Sequence, residues 1–183
     1  MKTRLAGILP LAFACLLLLA PVLRAQDFTI FAGGMMPGKA NLHDVPTMLD
    51  NGPIFGVRLS TAFAAIVRLE HTLAFSNDFL FPDNEPGVTS AKGLLFNSNL
   101  LVNIPAGKAV PYVTAGLGFI HQYGSSNLPV GTKFAVNYGG GLKFLKLLGP
   151  AGLRFDARGY TATGVFSRSV NMFELTAGVI IGF

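Results

Sequence analysis

The sequence predicts an all-β fold: an eight-stranded antiparallel up-and-down β-barrel that crosses a membrane. Three observations carry that prediction. The stretch from Asn171 to Phe183 alternates with a period of two, setting Phe173, Leu175, Ala177, Val179, Ile181 and Phe183 against Glu174, Thr176, Gly178, Ile180 and Gly182. A strand sends these two sets to opposite faces, one wholly apolar. The chain is 51% hydrophobic and only 13% charged, yet beyond residue 25 no uncharged apolar run reaches the ~18 residues that mark a membrane helix. Finally, the connections between strand candidates alternate between long and short, as they do in membrane barrels with loops at one end and tight turns at the other.

At 183 residues the chain has the length of one domain. Residues 1–25 read separately, with Lys2 and Arg4 before an apolar core from Leu5 to Ala20 and small Ala25 at the end. This pattern predicts a secretory signal peptide, removed before folding. Pro10 and Pro21 interrupt the core, which is short for a membrane anchor. Cys15, the single cysteine, falls inside it, so residues 26–183 offer no thiol for a disulfide or a metal. Of the 14 basic residues three leave with this segment, so 11 remain against 9 acidic ones. No cluster of Lys and Arg with interleaved aromatics is present, so nucleic acid is not an expected partner.

The first strand candidate runs from Asp27 to Met36 and ends at Pro37-Gly38. Turn-forming residues then fill a first long loop, residues 37–53. The second candidate, Ile54 to Ala65, sets Phe55, Val57, Leu59 and Phe63 against Gly56, Arg58 and Ser60; the third, Ile66 to Phe75, sets Val67, Leu69, Leu73 and Phe75 against Arg68, Glu70 and Thr72. A second long loop covers residues 76–90. The fourth strand, Ala91 to Ile104, carries Asn97, Asn99 and Asn103 on its polar face, and the short turn Pro105-Ala106-Gly107-Lys108 follows. The fifth, Ala109 to Tyr123, opposes Val113, Ala115, Leu117 and Phe119 to Thr114, Gly116, Gly118 and Gln122. The sixth, Thr132 to Leu145, places Asn137, Gly139, Gly141 and Lys143 together, and the seventh, Ala151 to Thr161, places Arg154, Asp156, Arg158 and Tyr160 together. A fourth loop to Arg168 leads into the closing strand.

Charge decides which face meets lipid. The central stretches of the apolar faces contain no Asp, Glu, Lys or Arg, whereas the other faces collect Arg58, Arg68, Glu70, Lys143, Arg154, Asp156, Arg158 and Glu174. Placing Lys or Arg against lipid at the midplane costs about 2–4 kcal/mol, so this set is expected to line the lumen. A soluble lipocalin-like barrel has the same alternation with its charged face wet, and is the competing reading. Eight strands enclose a space that side chains just fill. Five cations and three anions there are expected to pair into an ionic plug, with Gly116, Gly118, Gly139 and Gly141 making room for the arginines. Tyr112, Tyr123, Tyr138 and Phe183 are the candidates for membrane-interface positions in a chain without tryptophan.

The segments Pro111-Tyr112-Val113-Thr114-Ala115-Gly116-Leu117-Gly118-Phe119, Asn137-Tyr138-Gly139-Gly140-Gly141-Leu142 and Leu153-Arg154-Phe155-Asp156-Ala157-Arg158 resemble the bacterial outer-membrane β-barrel family, the group around the OmpA transmembrane domain and the small OmpW- and OmpX-like barrels. The resemblance covers everything after the signal peptide. It implies outer-membrane location, a structural or surface-interaction role, and contact with outer-membrane lipid and lipopolysaccharide. In OmpW-like members it implies narrow transport of small or hydrophobic molecules. The final stretch also resembles the C-terminal signal of such proteins. On that resemblance Phe173, Leu175, Val179, Ile181 and Phe183 form the segment read by the barrel-assembly machinery. Loops 37–53 and 76–90 are the expected contact surface for a ligand. Some relatives in the family modify lipid A, but the His-x-Ser-Asn motif of the deacylases is missing at both His71 and His121, and His43 with Asp44 has no spacing that selects a catalytic set. Asp78, Asp83 and Glu85 lack the ligand spacing of a calcium loop. No catalytic residue, metal or cofactor is expected.

Overall fold

The computed structural model describes residues 27–38, 40–42, 45–47, 51–77, 79, 91–124, 131–165 and 168–182. Residues 1–25, expected to be a signal peptide, and His43, Asp44, Asp78, Asp83, Glu85 and Phe183 lie outside these residues. The described strands are β1 (Asp27–Pro37), β2 (Ala40–Leu42), β3 (Val45–Thr47), β4 (Gly52–Ala62), β5 (Val67–Asn77), β6 (Ala91–Asn103), β7 (Ala109–Gly124), β8 (Thr132–Leu148), β9 (Ala151–Val165) and β10 (Arg168–Gly182).

Eight of them close into one barrel in the order β1-β10-β9-β8-β7-β6-β5-β4, and β2 pairs with β3 in a separate hairpin within the first long loop. Every neighbouring pair in the barrel is antiparallel. Closure comes from β1, whose residues pair with β4 on one side and with β10 on the other, from Asp27↔Gly182 to Pro37↔Met172. A closed sheet leaves no free edge, which is what allows strands to cross a layer without water.

The side chains divide by parity. Outward positions carry Ile30, Phe55, Leu73, Leu100, Val113, Leu117, Phe119, Leu153, Phe155, Phe173, Leu175 and Val179, each roughly half exposed. Inward positions carry the charged and polar set, with Arg58, Glu70, Arg154, Arg158 and Glu174 at 0% exposure. A contiguous apolar wall of this extent is not a water-facing surface. The faces are therefore those of a membrane barrel, not of the lipocalin-like alternative.

The expected strands are all present, and their ends differ at instructive places. The second begins two residues earlier, at Gly52, and stops at Ala62, where Phe63 and Ala64 donate their N–H groups to the Val67 carbonyl and turn the chain. The sixth does not stop at Leu145 but continues to Leu148 through a register shift between Phe144 and Leu148. The expected fourth loop shrinks to residues 166–167, because β9 runs on through β-branched Thr161, Thr163 and Val165, and β10 starts at Arg168. That connection is therefore an extended hairpin. The Thr161 hydroxyl bonds the Asn171 amide oxygen across it at 2.9 Å.

Candidate functional site in the barrel lumen

β9 supplies the centre of the lumen. Arg154, Asp156 and Arg158 occupy successive inward positions on it, so one strand delivers two guanidinium groups with a carboxylate between them. From the opposite wall, Arg58 on β4 and Glu70 on β5 point inward, and Glu174 on β10 stands beside β9.

Asp156 receives all three arginines. Arg58 Nη1 lies 2.9 Å from Oδ2, Arg154 Nε 3.0 Å from Oδ2, and Arg158 Nη2 2.8 Å from Oδ1. Glu70 bridges two of them, with Arg154 Nη1 2.5 Å from Oε2 and Arg158 Nη2 2.7 Å from Oε1. Glu174 takes Arg58 Nη2 at 2.5 Å and the Tyr160 hydroxyl at 2.6 Å. Ser60 donates to Glu70 at 3.1 Å, and the Tyr112 hydroxyl donates to Asp156. Three cations thus meet three anions with none of the six charged side chains more than 1% exposed. Charges buried this deeply are tolerable only when paired and hydrogen-bonded. The Arg58 guanidinium carbon also lies over the Phe31 ring, 3.6 Å from its centroid, a contact that suits a cation already desolvated.

Towards the short-turn end lies a second, smaller group. Asp27 Oδ2 accepts from Arg68 Nη1 at 2.9 Å and from Lys143 Nζ at 3.3 Å. The expected ionic set is therefore brought together as two clusters, one of six groups and one containing Arg68 and Lys143. Asp27 had not been assigned to the set. It shares inward parity with Thr29 and Phe31, and that parity was the available signal.

Towards the loop end the lumen changes character. Phe31, Met35, Ile54, Ala74, Leu95, Ile120, Ala135, Ala162, Val170 and Met172 form a buried apolar layer, joined by Tyr160 and by Phe79 from the second long loop. Phe79 is held by its backbone: its N–H donates to Ala91 O and its carbonyl accepts from Gln122 Nε2, both at 2.9 Å. Its ring lies over Gly93, where any side chain would run into it. The lumen thus holds the expected ionic and hydrogen-bonded plug with an apolar layer above it, which the sequence pattern did not single out.

Three of the four glycines act differently from expectation. Asn99, Gly116 and Asn137 form one cross-strand row, and the two asparagine amides bond each other across the glycine, Nδ2 to Oδ1, at 2.5 and 3.3 Å. Tyr112, Gly141 and Asp156 form another row, over which the tyrosine hydroxyl reaches the carboxylate. A side chain at Gly118 would strike the Asn97 amide, and one at Gly139 the backbone of Ala157 and Arg158. Gly116, Gly118 and Gly141 make room for asparagine or tyrosine in their rows, whereas Gly139 stands beside Arg158 in its row, the arginine neighbour that was expected.

Tyr112 also corrects the interface assignment, since it is 2% exposed and inside the barrel. Tyr123 and Tyr138 do point outward. Tyr123 stacks on His121, and Tyr138 covers Gly159 on the next strand. Of the expected assembly segment, Phe173, Leu175 and Val179 are exposed on the outer wall and Ile181 is partly so.

Two histidines meet hydroxyls on the outer wall, His71 Nδ1 with Ser98 Oγ at 2.8 Å and His121 Nδ1 with Thr132 Oγ1 at 2.7 Å. The described carboxylates, Asp27, Glu70, Asp156 and Glu174, all face the lumen, so among the described residues neither pair has an acid to orient it as a catalytic triad requires. Among the described residues no group of three or more His, Cys, Asp or Glu is placed to hold a metal.

No protein-family model matches the chain, and no curated protein matches it. Solved structures do. Neisserial surface protein A superposes with a TM-score of 0.67 at 15% identity, covering 86% of this chain and 96% of that one. The outer membrane protein OprG from Pseudomonas aeruginosa gives 0.58 at 14%, covering 87% and 97%. The outer membrane enzyme PagL gives 0.53 at 16%, covering 86% and 99%. At such identities the likeness is one of fold, extends over nearly the whole of each, and agrees with the closed sheet and apolar wall: the chain is an eight-stranded β-barrel of the outer-membrane type.

Proposed function

We propose that the chain after residue 25 resides in the bacterial outer membrane as a closed barrel whose role is structural or interactive. In this reading the loop end faces outside and offers loops 37–53 and 76–90 to a surface ligand or to lipopolysaccharide. The short-turn end faces the periplasm, and the stretch ending in Phe183 is read by the assembly machinery. The sealed network of Arg58, Glu70, Arg154, Asp156, Arg158 and Glu174 is the observation that carries this reading, because side chains locked across a lumen leave the outer surface and loops as the places where work is done. Planar-bilayer recording tests it. The refolded chain should be electrically silent, while the double variant Asp156→Ala, Glu174→Ala should conduct. Steady conductance from the unaltered barrel would sink the reading in favour of a narrow transporter.

The second reading, a lipid-modifying enzyme, has the His71–Ser98 pair on the lipid-facing wall in its favour. Its test is the mass spectrum of lipid A from cells making the protein. An unchanged spectrum is expected, and a mass loss that disappears in His71→Ala would establish the enzyme.

A further inference from the structure

Charge is distributed unevenly outside the lumen. The remaining acidic residues, Asp44, Asp50, Asp78, Asp83 and Glu85, fall within the sequence of the two long loops. The three short turns at the other end carry no acidic side chain at all. The turns and the irregular end of β8 that leads into the last of them carry Lys108 and Lys146, both exposed, and the most exposed large apolar side chains described, Phe63 at 79% and Leu148 at 81%.

The segments that bear the two lysines are joined by the backbone. The register shift between Phe144 and Leu148 inserts extra residues in β8, and the N–H of Leu145 within that bulge donates to the Lys108 carbonyl at 2.8 Å. Adjacent turns are thereby tied, each presenting a lysine. Lys146 is also the one non-glycine residue among those described with a left-handed backbone, φ 55°. A lysine there costs conformational energy that a glycine would not. Bulges commonly serve to re-aim a side chain, and strain held at an exposed position points towards use.

We propose that this end of the barrel is a binding site for anionic phospholipid headgroups, with Lys108 and Lys146 gripping the phosphate region while Phe63 and Leu148 insert among the acyl chains. Ile104 and Leu147 are exposed at the same end, so the occupant must offer an apolar layer and a negative surface at one boundary. A phospholipid leaflet offers both, and basic side chains beside an apolar face are the mark of such an interface. The inference rests on the reading that the short turns lie at the phospholipid leaflet. The vesicle measurement does not depend on how the barrel is oriented in a cell, so failure of either can be told from failure of the other.

The test uses the folded chain in phosphatidylcholine vesicles containing a trace of spin-labelled phosphatidylglycerol or spin-labelled phosphatidylcholine. A lysine at an anionic surface is worth about a factor of five, and only lipids at the two turns feel it. The unaltered barrel should therefore favour phosphatidylglycerol by roughly twofold to fivefold at low ionic strength, and less in high salt. In Lys108→Gln, Lys146→Asn the preference should fall to parity. Asparagine tolerates the left-handed backbone, and the single variant Lys108→Gln, which should lose part of the preference, leaves the bulge untouched. Lys92→Gln, Lys133→Gln, at the loop end, should keep the preference. No preference in the unaltered barrel, full preference in the turn variants, or loss only in the loop-end variant would overturn the proposal.

Discussion

Asp156 accepts from Arg58, Arg154, Arg158 and Tyr112 at once, with its side chain closed to water. Asparagine in its place keeps the shape and removes the charge, leaving three guanidinium groups facing two carboxylates. Breaking a buried ion network from one side costs about 3–5 kcal/mol, so Asp156→Asn should lower the urea midpoint of the barrel in detergent by an amount corresponding to that range. Arg68 is the contrast. Its side chain is 26% exposed where it meets Asp27, and pairs with access to water are worth about 0–1 kcal/mol. Arg68→Gln should therefore shift the same midpoint little; a shift as large as that of Asp156→Asn would show that the two clusters act as one.

Rows across strands explain what single residues do not. Gly116 stands between Asn99 and Asn137, and its missing side chain is what lets two amides on non-adjacent strands bond. Gly116→Leu should cost about 1–3 kcal/mol through overpacking and should expose the loss as a lower temperature for the heat-dependent gel shift. Gly131→Ala, outside the lumen rows, tests a different cost, that of a left-handed backbone at φ 57° with open space around it. Period two was enough to place nearly every inward residue, including the six members of the central network, because a one-residue slip would have turned charge to lipid. It also held the correct position of Tyr112, which has the parity of Thr114; the expectation that tyrosine belongs at an interface overrode it. Registers between strands were not legible. Which asparagine meets which, and across which glycine, depends on the stagger of neighbouring strands, and no single strand encodes that. The β2–β3 hairpin and the lengthening of β9 into β10 were also missed, since Pro, Gly and Ser composition reads as loop even where backbone pairing survives.

At the scale of the whole molecule, β1 and β10 close the sheet along eleven paired positions, from Asp27↔Gly182 to Pro37↔Met172. Closure makes stability cooperative, because releasing any strand opens two seams. The chain from residue 26 should accordingly migrate as a compact band without boiling and shift fully after it, with no stable intermediate band; a partial shift would show that one wall melts alone. The sharing of one end by Asp27 and Gly182 has a further use. A short linker could join the two ends of the sheet, and new ends could be opened within the loop between β5 and β6, producing a circular permutant with the same wall and the same lumen. In that chain the stretch from Phe173 to Ile181 would sit in the interior of the polypeptide. If such a permutant still reaches its folded form in lipid vesicles but no longer does so in cells, then folding is dictated by the closed sheet and delivery by where a strand lies along the chain.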